Sequence, residues 1–319
     1  MSYFMSLNPL SLFRAMPGSI AQGMIWGVMA LGVYITFRLL DFADLTVDGS
    51  IATGAAVSVM LIRAGVSPIA TLPIAFLAGA LAGMVTGLLN TALGIPGILA
   101  SILTQISLYS INLNIMGKAN QPVSVDNYPL VVSLRYVTDG SVSRLLFFLG
   151  MIVFLLALIA VMYWYFGTEQ GHAIRATGCN GNMARAQGIN TNFIKVLALM
   201  ISNGLVGLCG ALYGQFQGAS DVNMGRGAIV IGLAAVIIGE AVFGRIFHNF
   251  ALKMVSVSLG AIIYYIVIQL VLTLGFDANL LKLLSASVVA VFLAVPYWKG
   301  KYFAKPAAKK ANKEGANNA

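Results

Sequence analysis

The chain has 319 residues, 59% of them hydrophobic and only 9% charged, with a mean hydropathy of +0.88. Soluble domains carry about 25% charged residues, and a chain of this size has too little interior to hide so much apolar surface, so lipid must solvate it. The formal charge of +9 does not point to nucleic acid, because much of it is gathered in the final stretch "KGKYFAKPAAKKANKEGANNA". Lys and Arg just beyond a spanning helix mark the cytoplasmic side and meet anionic lipid there.

Residues 1–15, "MSYFMSLNPLSLFRA", read as an N-terminal interfacial segment. No cleavable signal peptide is expected, since the first apolar stretch, near Ile20, lacks a basic leader and a small-residue cleavage site. A spanning helix needs about 20 predominantly apolar residues. The runs that meet or approach this are 18–37, 48–63, 68–90, 96–115, 145–166, 193–216, 227–244, 250–274 and 279–298. They predict an all-α polytopic bundle of about nine spans over 16–298, followed by a basic cytoplasmic tail, 299–319, expected to be disordered. The second and seventh runs are short and interrupted by glycine, which points to one or two broken helices around a midplane pathway. "LLDFADLTVDGS" precedes the second, and "FQGASDVNMGRG" precedes the seventh, as a faint echo between halves.

With the tail inside, counting back through nine spans places 245–249 and the polar stretch 167–192 in the cytoplasm. The 116–144 loop and the N-terminus then fall outside. Glycines at helical spacing, Gly79, Gly83 and Gly87, then Gly204, Gly207, Gly210 and Gly214, read as close helix packing in lipid. Cys179 and Cys209 lie 30 residues apart with no CxxC, so neither a metal site nor a disulfide framework is expected.

Polar residues inside this chain demand a use, because charge is costly at membrane depth. Asp41, Asp44 and Asp48 stand at i, i+3 and i+7 and would share one face if helical. Asp48 reads either as the N-cap of the following helix or as a pathway group. Asp41 either pairs with Arg38 or, with Asp44, lines a broken helix facing water. Glu240, inside the seventh run, needs a partner such as Arg245 or Arg38, or serves as a gate. Gln105, Tyr109, Asn112 and Asn114 read as interhelical hydrogen-bonding groups or as pathway lining.

The longest polar stretch, "FGTEQGHAIRATGCNGNMARAQGINTNFIKVLAL" from 166 to 199, predicts two short helices standing off the membrane. Thr168 would cap the first, with Glu169 in its first turn. Asn182 would cap the second, and Gly188 would end it in the left-handed conformation. Two such helices make a rigid knob suited to a partner's groove.

This stretch, the Gly/Ala-rich run "LALMISNGLVGLCGALYGQFQG" and the segment "LDFADLTVDGS" resemble the permease subunits of ABC importers of the branched-chain amino acid and ribose group. "GIPGILASILTQISLYSINLNIMGKANQPVS" resembles a subfamily often linked to aromatic amino acids, and the likeness covers roughly 18–298. The resemblance implies a permease in the bacterial plasma membrane, as a homodimer or paired with a paralogue. ATP-binding subunits would dock at the knob, and an external binding protein would deliver an amino acid. Gly171, Arg175, Ala176, Gly178, Asn180, Ala184, Gly188 and Ile189 match the coupling pattern, and Glu169 and Arg185 are added as flanking charges. The arginines are expected to meet acids of the ATPase. No P-loop is present, since Gly117–Lys118 is followed by Ala and Gly300–Lys301 by Tyr. ATP and Mg²⁺ therefore belong to a partner subunit, with no cofactor on this chain. The alternative is a proton-coupled secondary transporter using Asp41, Asp44 and Glu240. An intramembrane enzyme is disfavoured: only His172 and His248 exist, with no HExxH or GxSxG.

Overall fold

A computed structural model describes residues 9–138, 144–244 and 246–273, with scattered positions between 283 and 294. The ninth apolar run therefore lies largely outside the described residues, as do Arg245, the tail and positions 1–8. Among the described residues the chain forms eleven α-helices, one π-helical turn and two short strands.

The long helices of the bundle are α1 (Pro9–Tyr34), α2 (Val47–Arg63), α3 (Pro68–Thr91) and α4 (Gly97–Met116). They continue with α6 (Arg144–Phe166), α9 (Thr191–Gln217), α10 (Ala228–Phe243) and α11 (Phe250–Thr273). Eight of the nine expected runs thus coincide with helices, and six are long and apolar enough to cross a bilayer. Positions 9–15 are continuous with α1 and form no separate interfacial element.

α1 and α9 are the middle of the bundle, 83% and 78% buried over their most apolar windows, against 28% for α4 and for α6. Small residues make this density possible. Gly79 and Gly83 of α3 sit on the α9 backbone at Asn203 and Leu199, while Gly210 of α9 sits on α2 at Ile51. Without a hydrophobic drive between helices in lipid, such close approach supplies the van der Waals contact that holds them.

At one end of the bundle, β1 (Asn120–Pro122) pairs antiparallel with β2 (Ala219–Asp221), Asn120 opposite Asp221. Arg63, in the last turn of α2, donates to the Gln121 side chain and so ties this ribbon to the bundle. A short helix, α5 (Leu134–Thr138), follows the loop after β1. At the opposite end stand α7 (Glu169–Cys179) and α8 (Gly181–Ala186).

Between α1 and α2 the helix is broken. A π-helical turn (Ile35–Leu39) ends α1, and residues 41–44 are irregular before α2 begins. Irregular backbone at membrane depth persists only where protein satisfies it. Here Leu40 Nα donates to Ile35 O and Phe42 Nα to Thr36 O, each at 2.9 Å. The break falls between the first and second apolar runs, whereas the second and seventh runs, expected to be interrupted, form the continuous helices α2 and α10, and the three aspartates do not share a helical face.

Candidate functional site

The knob is built by local capping chemistry. Thr168 caps α7 by accepting from Gly171 Nα, and Glu169 occupies the first turn. Asn180, and not Asn182, caps α8: its Oδ1 accepts from Asn182 Nα at 3.1 Å and Met183 Nα at 3.0 Å. Asn180 holds the extended backbone that a cap requires, whereas Asn182 is already inside the helix. Gly188 ends the pair at φ +84°.

Gly171 and Gly178 seat the knob on the bundle. A Cβ at Gly171 would overlap the Phe166 backbone, and one at Gly178 would overlap the Leu39 carbonyl. Ala184 is buried, Ala176 and Ile189 are half-buried, and Ile189 packs against the main core.

The two arginines make contacts within the chain. Arg175 donates to Phe166 O at 2.5 Å and lies 5.0 Å from the centre of the Phe250 ring. Arg185 donates to Thr191 Oγ1 at 3.1 Å. Arg175 braces the knob from its half-buried side, and Arg185 ties it to the start of α9 from an exposed position. Outward-facing groups are Glu169, His172 and Met183, the last 56% exposed. Met183 carried no motif and was not singled out in the sequence; only its exposure on an amphipathic short helix marks it.

The acids of the broken segment go to different destinations. Asp41 is exposed, with φ +53°, and does not pair with Arg38. Arg38 Nε instead donates to Glu240 Oε1 at 2.9 Å, joining the π turn to α10. Asp44 is buried; Asn203 Nδ2 donates to its Oδ2 at 2.7 Å and Thr46 Nα to its Oδ1 at 2.9 Å. Asn203 Oδ1 also accepts from Ser50 Oγ at 2.7 Å, so one α9 side chain organises the start of α2. Asp48 lies in the first turn of α2 but caps a different helix. Its Oδ2 accepts from Gly227 Nα and its Oδ1 from Ile229 Nα, each at 2.9 Å. A carboxylate at the positive end of α10 satisfies donors that would otherwise be orphaned in the bundle.

Asp48 and α4 border a half-open cavity of about 270 Å³ with mixed polar and apolar walls, lined also by Gly49, Ala52, Gln105, Ile106, Tyr109, Ser110, Asn112, Val222 and Arg226. Four of the residues expected on the pathway, Asp48, Gln105, Tyr109 and Asn112, therefore meet at one place, while Asp41, Asp44 and Glu240 lie elsewhere. Asn114, on the same helix, is exposed and does not line the cavity. Asn112 is fully buried, and neither amide atom has a hydrogen-bond partner. An unpaired buried polar group costs about 1–3 kcal/mol. Arg226 and Val222, supplied by the β2–α10 connection, were not legible as site residues. Among the described residues no cluster of His, Cys, Asp and Glu is arranged to hold a metal ion.

Residues 16–296 match the family model described as the branched-chain amino acid transport system / permease component. The chain belongs to that family. This permease is 38% identical, over 86% of its length and 89% of the other's, to the tyrosine transport system permease protein of Clostridioides difficile. It is 30% identical to the autoinducer 2 import system permease protein LsrC of Yersinia pseudotuberculosis over 66% of this chain and 58% of that one. With the inner membrane ABC transporter permease protein YjfF of Escherichia coli it shares 26% identity over 67% and 63% of the two chains. No solved structure matches. Family and helices together make this a multi-pass membrane protein of the ABC permease class.

Proposed function

We propose that this permease forms the translocation pathway of an ATP-driven importer of a small solute, an amino acid and in particular an aromatic one. The observation that carries the reading is the seating of the knob on the break in α1, Gly178 against Leu39. A partner that moves the knob moves the π turn, and with it the Arg38–Glu240 pair on α10. ATP-binding subunits dock on the outward faces of α7 and α8, at Glu169, His172 and Met183, and supply the ATP and Mg²⁺ chemistry. This end faces the cytoplasm, and so does the basic C-terminal tail. The ribbon end faces outward and receives a substrate-binding protein. Two copies of the chain complete the pathway. The substrate class is supported by the likeness to a relative named for tyrosine transport.

Asp48, Gln105, Tyr109 and Asn112 lie on the pathway in this reading; Asp41 and Glu240 sit at the knob end as gate groups, and Asp44 holds the break together. The competing reading is a proton-coupled carrier working through Asp41, Asp44 and Glu240. It is disfavoured because these acids are engaged separately: Asp44 with Asn203, Glu240 with Arg38, and Asp41 out on the surface. Reconstituting the permease with its ATPase in proteoliposomes tests the choice. Uptake is expected to require enclosed ATP and to survive a protonophore. Uptake that collapses with the protonophore while ATP is maintained overturns the importer reading.

A further inference from the structure

The cavity beside α4 has an electrostatic layout that bundle packing does not explain. Asn112 is fully buried against it with four hydrogen-bonding positions unused. Buried carboxamides are almost always bonded, so the unpaired Asn112 amide, sealed in the cavity wall, is a polar group that bundle packing alone leaves unsatisfied. Asp48 and Arg226 both line the same space but form no ion pair with one another. The guanidinium of Arg226 makes no hydrogen bond to any described residue, while the Asp48 carboxylate, engaged by the backbone N–H groups of Gly227, Ala228 and Ile229, keeps room for one further donor. Ile106 and the ring of Tyr109 add apolar wall. At about 270 Å³ the space lies just below the range of about 300–1,000 Å³ usual for small-molecule sites.

We propose that this cavity is a solute-selective subsite for a zwitterionic α-amino acid, a step that rests on reading the chain as a solute pathway. Asp48 receives the ammonium, Arg226 the carboxylate, and Asn112 offers a neutral donor and acceptor between them. The side chain lies against Ile106 and Tyr109. An acid and a guanidinium that line one space without pairing, with an unpaired amide in its wall, complement a head group carrying both charges. A neutral sugar would satisfy Asn112 and leave both charges unused. In this arrangement the permease itself discriminates by head-group charge, in addition to any external delivery protein.

The test uses the purified full-length chain in lipid nanodiscs and equilibrium binding of L-tyrosine, of tyramine, which lacks the carboxylate, and of 3-(4-hydroxyphenyl)propionate, which lacks the ammonium. L-Tyrosine is expected to bind saturably and each truncated analogue at least tenfold more weakly. Arg226→Gln removes the preference for L-tyrosine over tyramine, and Asn112→Leu weakens all three ligands. Arg226 is exposed, so its variant decides the matter even where Asn112→Leu fails to fold. Absence of saturable binding by the parent chain, or unchanged discrimination in Arg226→Gln, overturns the proposal. Because binding is measured without nucleotide, a failure of ATP-driven uptake would sink the importer reading and leave this result standing.

Discussion

Gly178, near the end of α7, lies against the carbonyl of Leu39, at the end of the π turn, with no room for a Cβ between them. Two segments that meet through bare backbone are coupled stiffly, since protein interiors transmit displacement instead of absorbing it. Gly181, three residues on, has open space where its Cβ would stand. Gly178→Ala is therefore expected to lower uptake at least tenfold at unchanged membrane abundance, and Gly181→Ala to leave it within twofold. Equal uptake by the two variants in a vesicle assay would refute the seating argument.

The Arg38–Glu240 pair is half open to solvent, the two side chains being 56% and 32% exposed. Such pairs contribute about 0–1 kcal/mol to stability, so its value lies in position. Glu240→Arg and Arg38→Glu are each expected to impair uptake with little change in melting temperature, and the double exchange to recover much of it. A double variant no better than either single one would show that the pairing is incidental.

Asn203 holds Asp44, Ser50 and the Leu199 carbonyl together inside the bundle. Replacing it with Leu leaves the buried Asp44 side chain without the Asn203 amide donor, only Thr46 remaining. The expected loss is about 2–3 kcal/mol, read as a lowered melting temperature in detergent. Asn203→Leu melting with the parent chain would mean that water replaces the amide.

Met183 is exposed on the outward side of α8, with Ala184 beside it packed inward. A methionine that becomes fully covered contributes about 1.5–3 kcal/mol. Met183→Glu should therefore weaken co-purification of the ATP-binding subunit by tenfold or more while the permease still inserts. Retention of the subunit at parental levels would move the docking surface elsewhere.

What could be read in advance follows the range of the interactions. The spans were legible because lipid imposes composition over about 20 residues, and α3 and α4 begin and end within a residue of their runs. Thr168 and Gly188 were legible because caps are written within a turn of sequence. The cap of α8 was displaced by two residues because Asn180 and Asn182 flank the same glycine and only backbone geometry separates them. The condition for a shared aspartate face, a helical 41–48, is not met, because the groups that place Asp44 and Asp48 are remote in sequence. Asp44 finds its partner 159 positions away and Asp48 its own 179 away. Arg226 reaches the cavity from a connection whose fold no local pattern reveals.

Cys179 closes α7 in full view of solvent, whereas Cys209 is sealed inside the bundle. Among the described residues the native chain thus carries a single reachable thiol, at the joint between the two short helices. A maleimide dye placed there without any mutation reports from the joint itself, and its fluorescence during nucleotide addition records whether that joint moves.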